Sequence, residues 1–265
     1  MRRRVRPGRV ALVVFVTLTG VWLVAPTLVV IPMSFTEART FAFPPKGFTF
    51  EWYSNFFTDR QWYDALFTSL RIAVLVTIVS VVVGTAAAFG LVRGRFRGKG
   101  LMQAFILTPT IVPVVVVGVA IFATYLRWRI SGTTLGFVLA HTALAIPFVV
   151  VTVSASVRTF DRRLERAASN LGAGPWTIFR TVTFPLIRPG VVSGALFAFI
   201  TSFDEVVVSL FIQSPMVRTL PVQMFSSVTR EIDPTLAAAS TMIVVFTTTL
   251  ILLTLFLQTR GSDAR

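Results

Sequence analysis

The sequence contains no cysteine and a single histidine. Disulfides and thiolate metal sites are therefore excluded, and one imidazole cannot build a histidine-rich metal centre. Acids are scarce too, with 11 against 25 lysines and arginines. Charged residues make up 14% of the chain, where soluble domains carry about 25%. No phosphate loop of the GxxxxGK[ST] type is present: the stretch Gly94 to Gly100 lacks its spacing and reads as a basic turn between apolar segments. No serine stands in a nucleophile motif with histidine and an acid. Solenoid repeats and low-complexity tracts are also missing. These absences argue against an enzyme, leave no metal or cofactor of the chain's own, and require any energy source to come from another subunit.

What the chain has is apolar length. It is 54% hydrophobic with a mean hydropathy of +0.78. A bilayer needs about 20 apolar residues per crossing, and six runs qualify: 10–33, 70–92, 101–126, 133–157, 190–212 and 236–258. The first follows a basic N-terminus but is longer than the apolar core of a signal peptide, so it reads as an uncleaved membrane helix with a bend expected at Pro26. The reading is an all-α, six-span integral membrane protein, one domain over 1–265, with membrane lipid as its surroundings and both termini on one side. Placing the termini in the cytoplasm puts 17 of the 25 basic residues inside, including the N-terminal arginines, the 93–99 turn and the 158–188 loop. That distribution also accounts for the net charge of +14 without nucleic acid. The expected location is the cell (inner) membrane.

Between two apolar blocks lies a polar island, Leu164 to Pro185. Phe160, Leu164, Ala167, Ala168 and Leu171 recur at helical spacing while charged residues fill the other faces. Gly172 and Gly174 stop that helix, and Pro175 is suited to start a second one. Trp176, Phe179 and Val182 give the second helix a short apolar stripe, which Pro185 is expected to end. The apolar faces of this pair require something to dock on.

Asp204 and Glu205 interrupt the fifth run. A carboxylate inside a membrane helix costs ~2.5–3.5 kcal/mol on insertion scales and normally faces a cavity or a partner. Two readings stand. Either the acids line a pathway for a cation, Asp204 being favoured because its shorter side chain is less able to reach outer water, or the helix ends at Phe203 and the acids are wetted or paired. His141 is expected to be neutral and hydrogen-bonded between helices. Pro109, Pro113 and Pro147 are expected to bend their helices. Trp52, Trp62 and Trp128 read as interface anchors, and 34–68 as a segment at the membrane surface.

The 164–185 stretch resembles the coupling loop of ABC importer permeases, whose pattern is Glu-Ala-Ala, three residues, Gly, nine residues, Ile-x-Leu-Pro. Ala167, Ala168, Gly172, Val182 and Pro185 keep that spacing. Arg166 stands where the family has Glu, Phe184 where it has Leu, and Glu165 lies one position earlier. Further stretches resemble the spermidine/putrescine branch: Phe43-Pro44 with Gly47-Phe48-Thr49 and Trp52-Tyr53, then Ser202, Asp204, Glu205 and Val208, then Thr219-Leu220-Pro221, then Arg230 and Pro234. The resemblance implies that Glu165, Arg166, Ala167, Ala168, Gly172, Val182 and Pro185 meet an ATPase dimer. It also implies a second homologous permease completing the pore and an extracytoplasmic binding protein delivering a polyamine. ATP would be bound by the partner subunit. Branches handling thiamine, iron, phosphonate or amino-acid-like solutes share much of the pattern and stay open as alternatives. A stand-alone secondary transporter is the rival of a different class, disfavoured because the chain shows no paired inverted repeats.

Overall fold

A computed structural model describes residues 7–40, 43–230 and 233–263. The arginines before Pro7, the side chains of Arg230 and Arg260, and Arg265 lie outside the described residues. The chain divides into two compact units, Met1–Asp59 with Ser226–Thr248 and Arg60–Phe225 with Thr249–Arg265. Among the described residues there are helices and no strands. Five helices are long and apolar enough to cross a membrane, or six if one sharply bent pair counts as a span. The protein is an all-α, multi-pass membrane protein.

In the first unit, α1 (Pro7–Met33) runs on through Pro26 and Pro32. Its apolar window buries nothing against the chain, which in lipid carries no hydrophobic penalty because its surroundings are as apolar as a core. The segment after it folds back on itself. Glu37 N–H donates to Lys46 O at 2.9 Å and Thr49 N–H to Phe35 O at 2.8 Å, while Phe35 stacks on Phe48. In α2 (Glu51–Thr58), Trp52 is buried and its indole N–H donates to Thr36 O at 2.7 Å. Asn55 reaches Thr235 at the start of α12 (Thr235–Asp263) at 2.7 Å.

The second unit is built around α3 (Arg60–Arg93), α6 (Thr134–Thr159) and α9 (Phe184–Phe203). Of the apolar window of α6, 61% is buried against 33% for each of the other two spans, so α6 is the central helix. Ile72 and Val76 of α3, Val149 and Val153 of α6, and Ile187 and Val191 of α9 pack in one cluster. Helix α3 begins ten residues before the expected span, because Arg60–Arg71 holds no proline or glycine to stop it. Hydropathy marks where lipid begins, not where a helix does. As a result Trp62 is fully buried inside the unit. The anchor reading thus fails for Trp52 and Trp62; only Trp128 is exposed.

Two other spans differ from expectation. The run 101–126 is not one rod. Helix α4 (Lys99–Leu107) and a 3-10 turn (Thr108–Thr110) meet α5 (Val114–Trp128) at 98°. Pro113 causes the break: it has no N–H to donate, and with ψ at 126° it is extended. The run 190–212 is likewise displaced. One helical stretch runs from Pro175 to Phe203, through α8 (Pro175–Ile178), a π-helical turn (Phe179–Thr183) and α9. Pro185 does not end it. A proline in the first turn of α9 needs no donor of its own, and Phe184 N–H bonds to Phe179 O five residues back. Residues 207–212 form a separate short helix, α10 (Val207–Ile212), which packs on α5. Helix α11 (Leu220–Arg230) follows, and Leu220 N–H donates to Ser69 Oγ of α3 at 2.7 Å.

Contact between α6 and α9 depends on Gly190 and Gly194. A Cβ on Gly194 would lie 2.7 Å from Thr152 Oγ1 and 3.1 Å from the Cα of Val149, and one on Gly190 would lie 2.8 Å from Thr152 O. This is the small-xxx-small spacing that lets membrane helices approach closely. Gly194→Val should therefore force the pair apart and destabilise the chain by ~1–3 kcal/mol. A melting curve of the purified complex should show a clear drop for Gly194→Val. Gly90→Ala, where nothing lies within 4 Å, should leave it unchanged.

Candidate functional site

Residues 158–188 shape one end of the second unit. Helix α7 (Arg163–Asn170) begins where Asp161 accepts the Arg163 N–H at 2.8 Å. It ends at Gly172, whose φ of +87° is open to glycine at little cost and strained for other residues. Gly174 then leads into α8. Between α7 and α8 lies an open groove of about 690 Å³. Arg162 and Arg166 stand on its rim, and Pro175, Ile178 and Phe179 form its apolar side. Leu171 and Trp176, at 88% and 72% exposure, project into solvent on a segment otherwise rich in charge.

The groove is braced from inside the chain. Arg93, at the end of α3, donates to Glu165 Oε1 at 2.8 Å, and the Thr183 hydroxyl donates to the same oxygen. The guanidinium also sits 4.7 Å from the Phe89 ring centre and 5.5 Å from that of Phe160. Glu165 thus joins α3, α7 and the π turn, while its neighbour Arg166 is exposed. Among the other motif positions, Ala167 is exposed, Ala168 and Val182 are half-buried, and Pro185 sits in the first turn of α9.

At the far end of the same helical stretch the two acids part company. Asp204 closes α9 and is exposed. Glu205 turns inward, at 9% exposure. Its two carboxylate oxygens accept the N–H groups of Val208 and Ser209, each at 2.9 Å, and so cap the first turn of α10. His141 of α6 is fully buried beside it. The imidazole Nδ1 lies 3.0 Å from Ser202 Oγ, and Nε2 lies 3.1 Å from Ser209 Oγ and 3.7 Å from Glu205 Oε2. Both ring nitrogens are partnered between helices. His141 is hydrogen-bonded between helices, as its place in an apolar run implied, but its partners stand 61 and 68 positions away and were not legible in the sequence. The structure gives Glu205 a capping task and leaves Asp204 as the exposed acid of the pair. No group of three or more histidines and acids able to hold a metal occurs among the described residues.

Removing the cap should be costly. Glu205→Ala would strip two backbone donors of a charged acceptor, each such bond being worth ~1.5–3 kcal/mol. The variant should melt markedly lower than wild type. Asp204→Ala, whose side chain is exposed, should melt close to wild type.

The comparisons with known proteins agree in direction. The profile described as "Binding-protein-dependent transport system inner membrane component" matches residues 80–261. The spermidine/putrescine transport system permease protein PotC of Haemophilus influenzae is 33% identical over 242 residues, covering 90% of this chain and 93% of that one. The putrescine transport system permease protein PotI of Escherichia coli is 33% identical over 238 residues, covering 87% and 84%. The molybdenum transport system permease protein ModB of Mycobacterium bovis is 32% identical over 217 residues, covering 76% and 81%. A crystal structure of a bacterial alginate ABC transporter, in complex with a periplasmic protein bound to an alginate pentasaccharide, shares the fold. Its TM-score is 0.72 at 14% identity, over 92% of each chain. The chain belongs to the binding-protein-dependent transport system inner membrane components, the membrane-spanning permease subunits of ABC importers, and is not itself an enzyme.

Proposed function

We propose that this permease carries polyamines or similarly small cations, as one half of a pore completed by a second homologous permease. An ATPase dimer docks at the groove between α7 and α8 and binds the ATP, and an extracytoplasmic binding protein delivers the cargo. The chain lies in the inner membrane with both termini and the 158–188 loop in the cytoplasm. The observation that carries this reading is the continuity of Pro175–Phe203, 29 residues spanning about 43 Å at ~1.5 Å each. The helical stretch begins at the groove and ends at Asp204. A displacement of the groove end is therefore delivered, through one helix, to the exposed acid. That is the requirement for coupling two sites by a moving element.

Two features of the loop that carries the groove favour a protein partner. Leu171 and Trp176 are apolar side chains left uncovered by the chain, and anchors of this type concentrate binding energy at interfaces. The basic rim of Arg162 and Arg166 favours an acidic complement. For the cargo, polyamine permeases and a molybdenum permease match this chain at similar identity, so similarity alone does not select the solute. Exposed Asp204 does favour a cation, because a fixed carboxylate offsets the desolvation that a multiply charged amine suffers on leaving water.

Two experiments test this. Asp204→Asn should cut uptake of spermidine or putrescine by well over tenfold when uptake is normalised to assembled complex, since losing even ~1.4 kcal/mol costs a factor of ten. Normalised uptake equal to wild type would remove the cation pathway. For orientation, the chain has no native cysteine, so a single one can be introduced at either of two exposed serines. Ser169→Cys should react with a membrane-impermeant thiol reagent only after cells are opened. Ser54→Cys should react once the outer face alone is accessible. The reverse pattern would invert the topology.

A further inference from the structure

A second groove, distinct from the one braced by Glu165, opens between the ends of α3 and α6 and the middle and end of α4. It has a volume of about 240 Å³. Leu91, Leu107, Val150 and Val151 give it apolar walls, and Arg158, in the last turn of α6, stands at its mouth. From Arg158 to Val150 is eight residues, about 12 Å along the helix at ~1.5 Å each. That is most of the depth of a single leaflet, given a hydrocarbon core of ~30 Å. The groove is thus deep enough for one acyl chain and too shallow to be a route across the membrane. Its polar groups are Gln103, Ser154 and Arg158, with no carboxylate among the described residues that line it. The turn joining two of its walls, α3 and α4, contributes Arg95 and Arg97, both exposed, and Lys99. This basic turn has no part in the coupling site.

We propose that this groove binds an anionic phospholipid, with an acyl chain between α3, α4 and α6 and its phosphate at Arg158. Charge complementarity selects the occupant. Each basic residue held near the surface favours an anionic over a neutral lipid roughly fivefold, and the mouth presents arginine with no acid to oppose it. The planar guanidinium can also hold a phosphate through two hydrogen bonds. A bound lipid would fasten α4, the arm of the bent span that lies before Pro113, to the central helix α6. Assigning the lipid to the cytoplasmic leaflet rests on the orientation proposed above, whereas the existence of the site does not.

The test uses the whole transporter complex in nanodiscs of equal phosphatidylglycerol and phosphatidylcholine, with either lipid spin-labelled in mid-chain. Both faces of a nanodisc are accessible, so a wrong orientation would show in the thiol labelling and leave this measurement untouched. The immobilised fraction should favour phosphatidylglycerol by roughly fivefold or more. Arg158→Gln should lower that ratio by roughly fivefold. Arg188→Gln, which removes the same charge elsewhere in the 158–188 stretch, should leave it in place. Ala155→Phe, which fills the groove, should lower the immobilised signal of both lipids. The proposal is overturned by a wild-type ratio near one, by an Arg158→Gln ratio like wild type, or by an equal fall with Arg188→Gln. It is also overturned if Ala155→Cys cross-links in high yield to the second permease, since the groove would then be a subunit interface.

Discussion

In hydrocarbon a backbone N–H or C=O without a partner costs several kcal/mol, and water is not there to help. The second unit is arranged around that constraint. At two places where its helices end or shift inside an apolar stretch, a side chain or a changed helical register takes up the groups set free. After Phe203 the carboxylate of Glu205 receives two N–H groups of α10, and His141 closes the cluster against Ser202 and Ser209. At Phe179–Thr183 a π turn lets Phe184 bond five residues back, so that Pro185 enters a helix without breaking it. Each device allows a change of direction or register that the bilayer would otherwise forbid.

These devices explain why the two adjacent acids are not equivalent. A carboxylate that already accepts two short backbone bonds and lies beside a buried imidazole is committed to holding the fold. Its neighbour Asp204, which closes α9, is left facing out. The exposed acid is thus the one that makes no bond to α10, and the two carboxylates can be altered separately.

At the other end of the same helical stretch, Glu165 has a comparable internal duty. Its bond to Arg93 ties the docking loop to the end of α3, which itself packs on α6 and α9. Arg166, at the motif position where the family has an acid, is free of that duty and lies on the rim. The acid that braces the loop thus stands one residue before the motif position, and an exposed arginine occupies that position.

The sequence by itself determined the class, the number of apolar runs and the place of the helix–turn–helix at 164–185. All three depend on properties carried by neighbours in the chain: hydropathy over some twenty residues, charge distribution, and the spacing of Ala167, Ala168, Gly172 and Pro185. It also marked the turn at Gly172, because a left-handed residue is a local demand. Helix boundaries were less legible. Lipid solubility and helical hydrogen bonding stop at different residues, so α3 starts at Arg60 and not near 70, and Trp62 is buried. Prolines could be seen but not their outcome: Pro113 breaks a span at 98° while Pro185 is absorbed. The rest belonged to tertiary structure alone. That Glu205 caps, that Asp204 is exposed, that His141 of α6 reaches Ser202 of α9 and Ser209 of α10 and that Arg93 reaches Glu165 all depend on side chains 61 or more positions apart, or on which way a chain turns after a helix ends. Such contacts are set by how α3, α6 and α9 pack through Gly190 and Gly194, and packing leaves no periodic trace in a single sequence.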